Sequence, residues 1–282
     1  MNTKRVVALL SIVAFLLSAC GLGAAKTIRG SGELITESRD VSDFERVSLT
    51  CSGDVIITQG EEESLTVETD DNIIEYVTAE VKSGTLELSI KKGVNISPTR
   101  FRFTLSVKDL DELSISGSGD ITADSLITDR LGVKVSGSGD VRVDSLAVER
   151  MDVQSFGSGD VGIDSLTAES VDVQIFGSGG AEIDALAADS VDLEIFGSGD
   201  VELSGKVDRQ DIGVSGSGDY RGGDLRCETA EVTINGSGDA TVWVTESLDA
   251  RANNSGSLNY YGDPQTSFSR SGSGEILSLG DR

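Results

Sequence analysis

Carboxylates recur at one position of this sequence, at nearly regular intervals. They close the tetrapeptide Gly-Ser-Gly-Asp, and Gly180 takes their place once; the series is Asp120, Asp140, Asp160, Asp200, Asp219 and Asp239. Carboxylates and turn carbonyls suit calcium, so a stacked row of them is a candidate calcium site. Aspartate in turns also accepts backbone N–H bonds, and we expect each member to do so within its own turn. We expect the same of a second row, Asp124, Asp144, Asp164 and Asp184.

Phenylalanine occupies the position before the glycines in three consecutive repeats, at Phe156, Phe176 and Phe196. Other repeats have Ser116, Ser136, Ser215 or Asn235 at that position. Alternation with the preceding apolar residues points the three rings outward. An exposed stripe of this kind would stack on sugar rings or contact a partner. Because aromatic side chains are usually packed, we expect a loop or the N-terminal segment to cover it.

The composition argues against most catalytic chemistry. The chain has no histidine, which excludes Ser-His-Asp and Cys-His nucleophile systems and histidine metal sites. Some β-helical enzymes act on polysaccharides with paired carboxylates, but they need long loops that wall a cleft. From Gly117 to Gly236 no repeat is longer than the common period, so the sequence offers no such loop. We therefore predict no catalytic residues, no cofactor and no metal, with calcium along the aspartate row as the alternative.

The repeat itself predicts the elements that position these side chains. A fixed period of about 20 residues over 113–282 is typical of a stacked solenoid with one turn per repeat. In the unit 160–179, two short runs alternate apolar and polar residues on either side of a corner at Ser165-Leu166. The sequence therefore predicts an all-β fold, a parallel β-helix or β-solenoid with one turn per repeat. Val153, Val173 and Leu193 should be buried and stacked, while sandwich-like layers of paired units are the alternative.

The glycines of each corner have a predicted physical role. Glycine adopts positive φ freely, and it lets a tight corner recur without Cβ clashes between turns. The segment 33–112 lacks the repeat but is rich in strand patterns, at 46–50, 54–58, 64–68, 85–90 and 100–107, with one helical turn in 70–76. It contains Cys51-Ser52-Gly53-Asp54, a degenerate first copy of the motif. We expect this β-rich N-terminal part to start the stack.

The segment 1–19 is typical of a lipoprotein signal peptide. Lys4 and Arg5 precede an apolar run, and Leu17-Ser18-Ala19-Cys20 forms a lipobox. We predict cleavage before Cys20, lipidation of Cys20 and a tether over 20–32; an ordinary secretory signal is the alternative. The formal net charge of −25 disfavours nucleic acid and anionic membrane surfaces as partners.

Two cysteines remain after this processing, Cys51 and Cys227. Secretion permits a disulfide, but linear stacking would hold the two far apart along the axis, so we predict two free thiols. Cys227 is in register with Val148, Ala168 and Ala188 and should be a core residue. Near the end of the chain, we expect aromatic side chains to cover the last turn: Trp243, Tyr260 and Tyr261.

An ordered set of segments resembles a known family. These segments are Glu37–Phe44, Cys51–Val55, Asp109-Leu110, Ser116–Asp120, Asn259–Pro264 and Ser271–Gly274. Together they are similar to the bacterial family named putative auto-transporter adhesin, head GIN domain, over nearly all of 30–280. The resemblance implies a β-helical, secreted or surface-anchored protein and brings no catalytic residues with it. The long, regular array departs from the family, so the number of turns is not implied.

These observations predict a lipid-anchored, non-enzymatic protein of the outer membrane or cell surface with an adhesin-like binding or structural role. Its expected partners are the membrane, through the N-terminal lipid, and a surface glycan or protein. Two alternatives remain, a β-helical polysaccharide-active enzyme and a calcium-stabilised envelope or matrix component.

Overall fold

The computed structural model describes residues 26–282, and these form an all-β chain without an α-helix. The strands before the repeat array are β1 (Lys26–Arg29), β2 (Leu34–Arg39), β3 (Arg46–Leu49), β4 (Asp54–Gln59), β5 (Ser64–Asp70), β6 (Val77–Lys82), β7 (Thr85–Ile90), β8 (Val94–Ser97) and β9 (Phe101–Val107). The array contains β10 (Glu112–Ile115), β11 (Ile121–Val135), β12 (Val141–Ser155), β13 (Val161–Thr167), β14 (Ser170–Ile175), β15 (Ala181–Ile195), β16 (Val201–Val214), β17 (Tyr220–Ile234), β18 (Ala240–Ala252), β19 (Leu258–Tyr261), β20 (Gln265–Arg270) and β21 (Ile276–Gly280). The predicted helical turn is a 3₁₀ turn at Ile74–Tyr76.

The repeats stack as a parallel β-solenoid of about eight turns, which confirms the predicted fold. From β11 to β15 each repeat lies in register with the next, so that Val153 pairs with Val173 and Val173 with Leu193. All three side chains are buried. Because alternate residues of a strand point to opposite faces, this register places like on like along one apolar core.

The two short strands predicted for each turn mostly merge into one. β11, β12, β15 and β17 are each continuous through the predicted corner. The pairing is regular from β11 to β15, and its register shifts near the corner from the β15–β16 pair onward. The turn that contains Ala168 and Glu169 is divided into two strands, since these residues separate β13 from β14. Successive strands pair along most of their length into one continuous sheet that wraps around the core. We call the part built from the first halves of the strands the first sheet and the part built from the second halves the second sheet.

The Gly-Ser-Gly corners need glycine for space and not for its backbone angles, except at Gly272 in the degenerate last copy, where φ is positive. A Cβ atom built on Gly157 would lie 2.0 Å from the carbonyl oxygen of Gly137 in the preceding turn. Gly157 is not among the glycines with positive φ, so that part of the prediction is wrong. Direct backbone contact between turns explains why the glycines recur.

The N-terminal part starts the stack, as predicted, because its strands β3 and β4 belong to the first coil. β3 pairs with β10, and β4 pairs with the beginning of β11, so Cys51-Ser52-Gly53-Asp54 forms the corner of the first turn. The segment 60–111 is inserted within that turn. Within and beside this insertion, β7 and β9 extend the two sheets, and antiparallel strands β6, β5 and β2 close the end.

At the C-terminal end of the solenoid, the residues on inward strand positions change from buried apolar residues to exposed ones. In β20 the inward positions carry Thr266, Phe268 and Arg270, which pair with buried Leu248, Ala250 and Ala252. The Phe268 ring packs at 5.7 Å from that of Tyr260. These three side chains of β20 are exposed, and two of them, Thr266 and Arg270, are polar. They lie between the last buried apolar layer and solvent, and so they end the core. Within residues 26–282, no helical segment has the length and apolar character to cross a membrane.

Candidate functional site

The recurring aspartates of the corners join successive turns instead of closing their own. Oδ1 of each accepts a hydrogen bond from the backbone N–H of the equivalent residue in the next turn, for example from Asp160 to Asp140 at 2.9 Å. We call this series the carboxylate ladder: Asp54, Asp120, Asp140, Asp160, Asp200, Asp219 and Asp239. The prediction of bonds within one turn is wrong, because stacking brings the N–H of the next turn nearer to the carboxylate.

Mutual repulsion along the carboxylate ladder is offset by these amides and by two arginines. Arg142 contacts Asp140 at 2.9 Å, and Arg221 contacts Asp200 at 2.8 Å and Asp219 at 3.5 Å. Burial acts to raise the pKa of Asp200, but the Asp219 amide and Arg221 hold that pKa below its usual value. Within the described residues, no group of three or more acidic or cysteine side chains is arranged to hold a metal ion. The ladder thus has a structural explanation that needs no calcium.

The second predicted row has a different environment. The side chains of Asp124, Asp144, Asp164 and Asp184 are exposed. In the part of the chain that the structure describes, none of them accepts the backbone bond that we expected, because they stand on an outward strand position and not in a corner. They contribute to the acidic surface.

The carboxylate ladder is interrupted at Gly180, and an open notch lies there. Gly180 donates to Asp160 at 2.7 Å but has no side chain to accept from Asp200. Near it, Gly162 also lacks a side chain, in a row that elsewhere contains Arg142 and Glu182. The resulting notch has a volume of about 370 Å³. Its charged walls are Arg142, Asp160, Glu182, Asp200, Glu202 and Arg221.

The three phenylalanines form an exposed stack, hereafter the Phe stripe. Phe156, Phe176 and Phe196 are 50%, 41% and 48% exposed, so they point outward as predicted, but the expected covering by a loop or the N-terminal segment is wrong. Adjacent ring centroids lie 4.8 and 5.0 Å apart, with interplanar angles of 2° and 12°. Strand spacing imposes this stacking, since each ring stands one turn above the last. The inner faces are therefore occupied, and the ring edges and the two outer faces remain for a partner.

The neighbours of the Phe stripe keep those outer faces open. Ser136 precedes Phe156 in the same row, and Ser215 follows Phe196. A serine side chain is too short to cover an aromatic ring. The Phe stripe thus has two ends at which a flat ligand would continue the stack, and a hydrophobic side that a partner surface would cover.

An acidic patch beside the Phe stripe escaped the sequence analysis. Asp172, Asp192 and Asp211 stand in one row on the second sheet, with Glu194 beside them. Burial and the neighbouring charges of Asp192 and Asp152 raise the pKa of Asp172. Burial and the charges of Asp192 and Asp211 likewise raise the pKa of Glu194. The signal was visible as a third acidic period, but the sequence does not show how close the second sheet brings these groups.

The structure confirms the predicted state of the two cysteines and corrects the predicted position of Trp243 and Tyr261. Within residues 26–282, Cys51 and Cys227 are buried and form no disulfide, as predicted, and burial raises the pKa of their thiols to about 11 and about 12. Tyr260 packs against the core, but Trp243 stands on an outward position of β18 and pairs with outward Tyr261. The guanidinium of Arg282 lies over both rings, at 5.9 and 5.1 Å. These two aromatics therefore do not cap the core. Cys20 lies outside the described residues.

The comparison with family models agrees with the resemblance seen in the sequence. The family model described as "Putative auto-transporter adhesin, head GIN domain" matches residues 43–195 and 156–264. No curated protein matches the chain.

Solved structures resemble the chain over nearly its whole length. One is a putative adhesin from Parabacteroides distasonis ATCC 8503, with 22% identity and a TM-score of 0.73. A putative lipid binding protein from the same strain has 28% identity and a TM-score of 0.71. A putative adhesin from Parabacteroides merdae ATCC 43184 has 21% identity and a TM-score of 0.71. In each comparison 90% of this chain and 100% of the other are covered.

Proposed function

The chain belongs to the family described as putative auto-transporter adhesin, head GIN domain, and from this premise we propose that it is a lipid-anchored, non-enzymatic protein of the cell surface that binds a partner as an adhesin does. The proposal depends above all on the Phe stripe. A folded domain seldom leaves a contiguous row of aromatic rings in water, and such rows mark interaction sites. The family match suggests a cell-surface or envelope protein, which is where an adhesin acts.

The sequence shows how to remove the Phe stripe without disturbing the solenoid. Ser136 and Ser215 occupy the same row in neighbouring turns, so serine fits this position. We expect the full-length variant Phe156→Ser/Phe176→Ser/Phe196→Ser to fold normally and to lose most of the attachment of the producing cells to host or neighbouring cells. Ile127→Ser is the matched control, because Ile127 is 68% exposed and lies outside the Phe stripe. Attachment of the triple variant at the wild-type level would refute the assignment of the binding surface.

The anchor has a separate test. Cys20 follows Leu17-Ser18-Ala19 in a lipobox, and its thioether-linked lipid would hold the protein at the membrane. We expect Cys20→Ser to move the protein from the membrane fraction to the soluble fraction while leaving its thermal unfolding unchanged. Continued membrane association of this variant would contradict lipid anchoring.

The two alternatives predict measurable activities that this proposal does not. A polysaccharide-active enzyme would release reducing ends or unsaturated products from a bound glycan. A calcium-stabilised envelope component would show a melting temperature that rises with added calcium and falls with a chelator. We expect neither effect, since the ladder carboxylates already accept backbone bonds and the notch at Gly180 is open.

A further inference from the structure

The interruption of the carboxylate ladder lies on the same turns as the Phe stripe. Phe156, Phe176 and Phe196 stand on one side of the Gly-Ser-Gly corner, and Gly162 and Gly180 stand on the other side of the corners that follow the first two rings. Ser178 and Ser198, which belong to the corners that follow the second and third rings, line the notch. Both departures from the repeat therefore fall within one region of an otherwise uniform surface.

The notch offers hydrogen-bonding groups of both kinds. Asp160, Glu182 and Glu202 present carboxylates, which accept hydrogen bonds, while Arg142 and Arg221 present guanidinium groups, which only donate. The backbone N–H of Asp200 adds a donor, since Gly180 supplies no acceptor of the kind that each neighbouring turn provides to its successor. A ligand that both donates and accepts at closely spaced atoms would use both kinds of group, through the donor and acceptor positions that their protein partners leave open.

From this arrangement we infer that the notch binds an uncharged sugar ring through its hydroxyl groups. Each hydroxyl donates to a carboxylate and accepts from a guanidinium or from the Asp200 amide, so one ring uses both sets of walls. Four carboxylates against two guanidinium groups disfavour an anion, while the guanidinium groups of Arg142 and Arg221 repel a cation and already neutralise ladder carboxylates. The volume of about 370 Å³ lies within the usual range for small-ligand sites, about 300–1,000 Å³.

The inference rests on the proposed function, because it names the ligand class of the surface that contains the Phe stripe. A glycan held at the notch extends across the corner at Ser178 and Ser198 toward the exposed rings. The apolar faces of its next units then pack against the Phe stripe. The notch would supply specificity and the Phe stripe additional contact area.

Gly162 provides a test that fills the notch without straining the backbone. A Cβ atom there would meet only Cγ of Arg142, at 3.8 Å, and the same row already carries arginine at 142 and 221. Gly162→Arg therefore places a side chain in the notch. Gly132→Arg is the matched control, because a Cβ at Gly132 meets atoms no closer than 3.7 Å and the residue lies on the other sheet.

The measurement is calorimetric titration of the full-length protein with neutral mono- and disaccharides, uronic acids and amino sugars. We expect a neutral saccharide to bind, Gly162→Arg to weaken it by at least roughly tenfold, and Gly132→Arg to leave it unchanged. Binding of charged saccharides only, or equal affinity in wild type and Gly162→Arg, would overturn the inference. Melting temperatures establish that both variants fold.

The two proposals fail in distinguishable ways. If the triple phenylalanine variant loses cell attachment but wild type binds no neutral saccharide, the sugar site is refuted and the adhesin function stands. If cell attachment survives in both the triple variant and Gly162→Arg, the surface that contains the notch and the Phe stripe does not mediate attachment, and the proposed binding function of that surface is refuted even where wild type binds a neutral saccharide.

Discussion

The backbone N–H of Gly180 donates a hydrogen bond to Oδ1 of Asp160, at 2.7 Å, across one full turn of the solenoid. The bond couples two turns at a corner where side-chain packing contributes little, because the glycines have no side chains. A carboxylate that accepts a backbone N–H stabilises a structure by about 1.5–3 kcal/mol, and by less at an exposed site such as this one. The carboxylate ladder is thus an axial connection between coils.

Removing one ladder carboxylate should loosen the stack locally. We expect Asp160→Ala to lower the free energy of unfolding by about 1 kcal/mol, since the Gly180 amide loses its acceptor. Asp160→Asn retains an acceptor oxygen and should lose less than half of that. Urea unfolding measures both. Equal losses in the two variants would show that charge, and not the hydrogen bond, matters at this position.

Ser155 is a site where the protein can be stabilised. Its side chain is fully buried, its hydroxyl has no hydrogen-bond partner among the residues that the structure describes, and it pairs with apolar Val135 and Ile175 on either side. We expect Ser155→Val to raise the free energy of unfolding by about 1–2 kcal/mol. Ser145→Val, at an exposed position, should change it by less than about 0.5 kcal/mol. A lower melting temperature for Ser155→Val would indicate that the core there has no room for a branched side chain.

One coil contains a polar pair within the apolar core. The hydroxyl of Tyr220 donates to Oε1 of Gln210 at 2.6 Å, and Nε2 of Gln210 donates to the Leu225 carbonyl at 3.3 Å. We expect Tyr220→Phe to cost about 1–3 kcal/mol, because it leaves a buried amide oxygen unpaired. Adding Gln210→Leu should recover most of the loss, since leucine occupies the same row at 131 and 248. If the double variant is less stable than Tyr220→Phe, the fold depends on the shape of the Gln210 side chain and not only on its hydrogen bonds.

The acidic patch beside the Phe stripe should make stability depend on pH. Arg150 and Arg209 pair with Asp172 and Asp211, whereas no basic side chain of the described residues forms an ion pair with Asp192. Burial and the charge of Asp192 raise the pKa of Asp172 and of Asp211. The folded state therefore holds these protons more tightly than the unfolded chain, and it loses stability as pH rises through their pKa values.

Asp192→Asn should relieve that repulsion. We expect a gain in melting temperature of about 1–3 °C at pH 7, which shrinks in high salt and narrows as pH falls through the raised pKa values of Asp172 and Asp211. Asp144→Asn, on an exposed position of the other sheet, is the control. A gain that persists unchanged at about pH 3 would show that the effect of Asp192→Asn is not electrostatic.

Asp70 should give the opposite pH dependence, because its ionised carboxylate stabilises the folded state. Its buried carboxylate accepts the backbone N–H of Thr99 at 2.7 Å and that of Gly32 at 2.8 Å. Burial acts to raise the pKa of Asp70, but these hydrogen bonds hold it below the usual value. The stabilisation is complete above about pH 4 and is lost as pH falls through the lowered pKa.

The corresponding variant is Asp70→Asn. We expect it to lose about 2–3 kcal/mol at pH 7, because one of the two N–H groups then faces an NH₂ group. The difference from wild type should narrow in acid, below the pKa of Asp70. A constant difference at all pH values would contradict a role for the ionised carboxylate.

The sequence predicted the fold well because the period determines the register. Once Val153, Val173 and Leu193 recur at one fixed interval, parallel stacking and a shared core follow, and so does the outward direction of the Phe stripe. The insertion at 60–111 could not be foreseen in the same way. The corner Cys51–Asp54 was recognisable, but nothing local shows that its turn is completed only at β10.

The site was less predictable because its geometry arises between turns. Whether Asp140 accepts from its own turn or from Asp160 depends on the axial offset of the coils. Whether Phe176 is covered depends on where the N-terminal strands lie, and they close the end of the stack instead. Trp243 was misplaced because it was assigned to the cap from its nearness to the end of the chain, whereas the alternation with buried Val242 and Val244 turns it outward.

The uniform register of the middle coils makes the length of this protein an adjustable quantity. From β11 to β15 each residue faces its counterpart one repeat away without a shift, and each coil contacts only the coils before and after it. Duplication or deletion of one repeat unit there would keep every remaining side chain in an equivalent environment and change the span by about 4.8 Å. With the proposed anchor at the N-terminus, such changes would set in small steps how far the proposed ligand site projects from the cell, with both closed ends left intact.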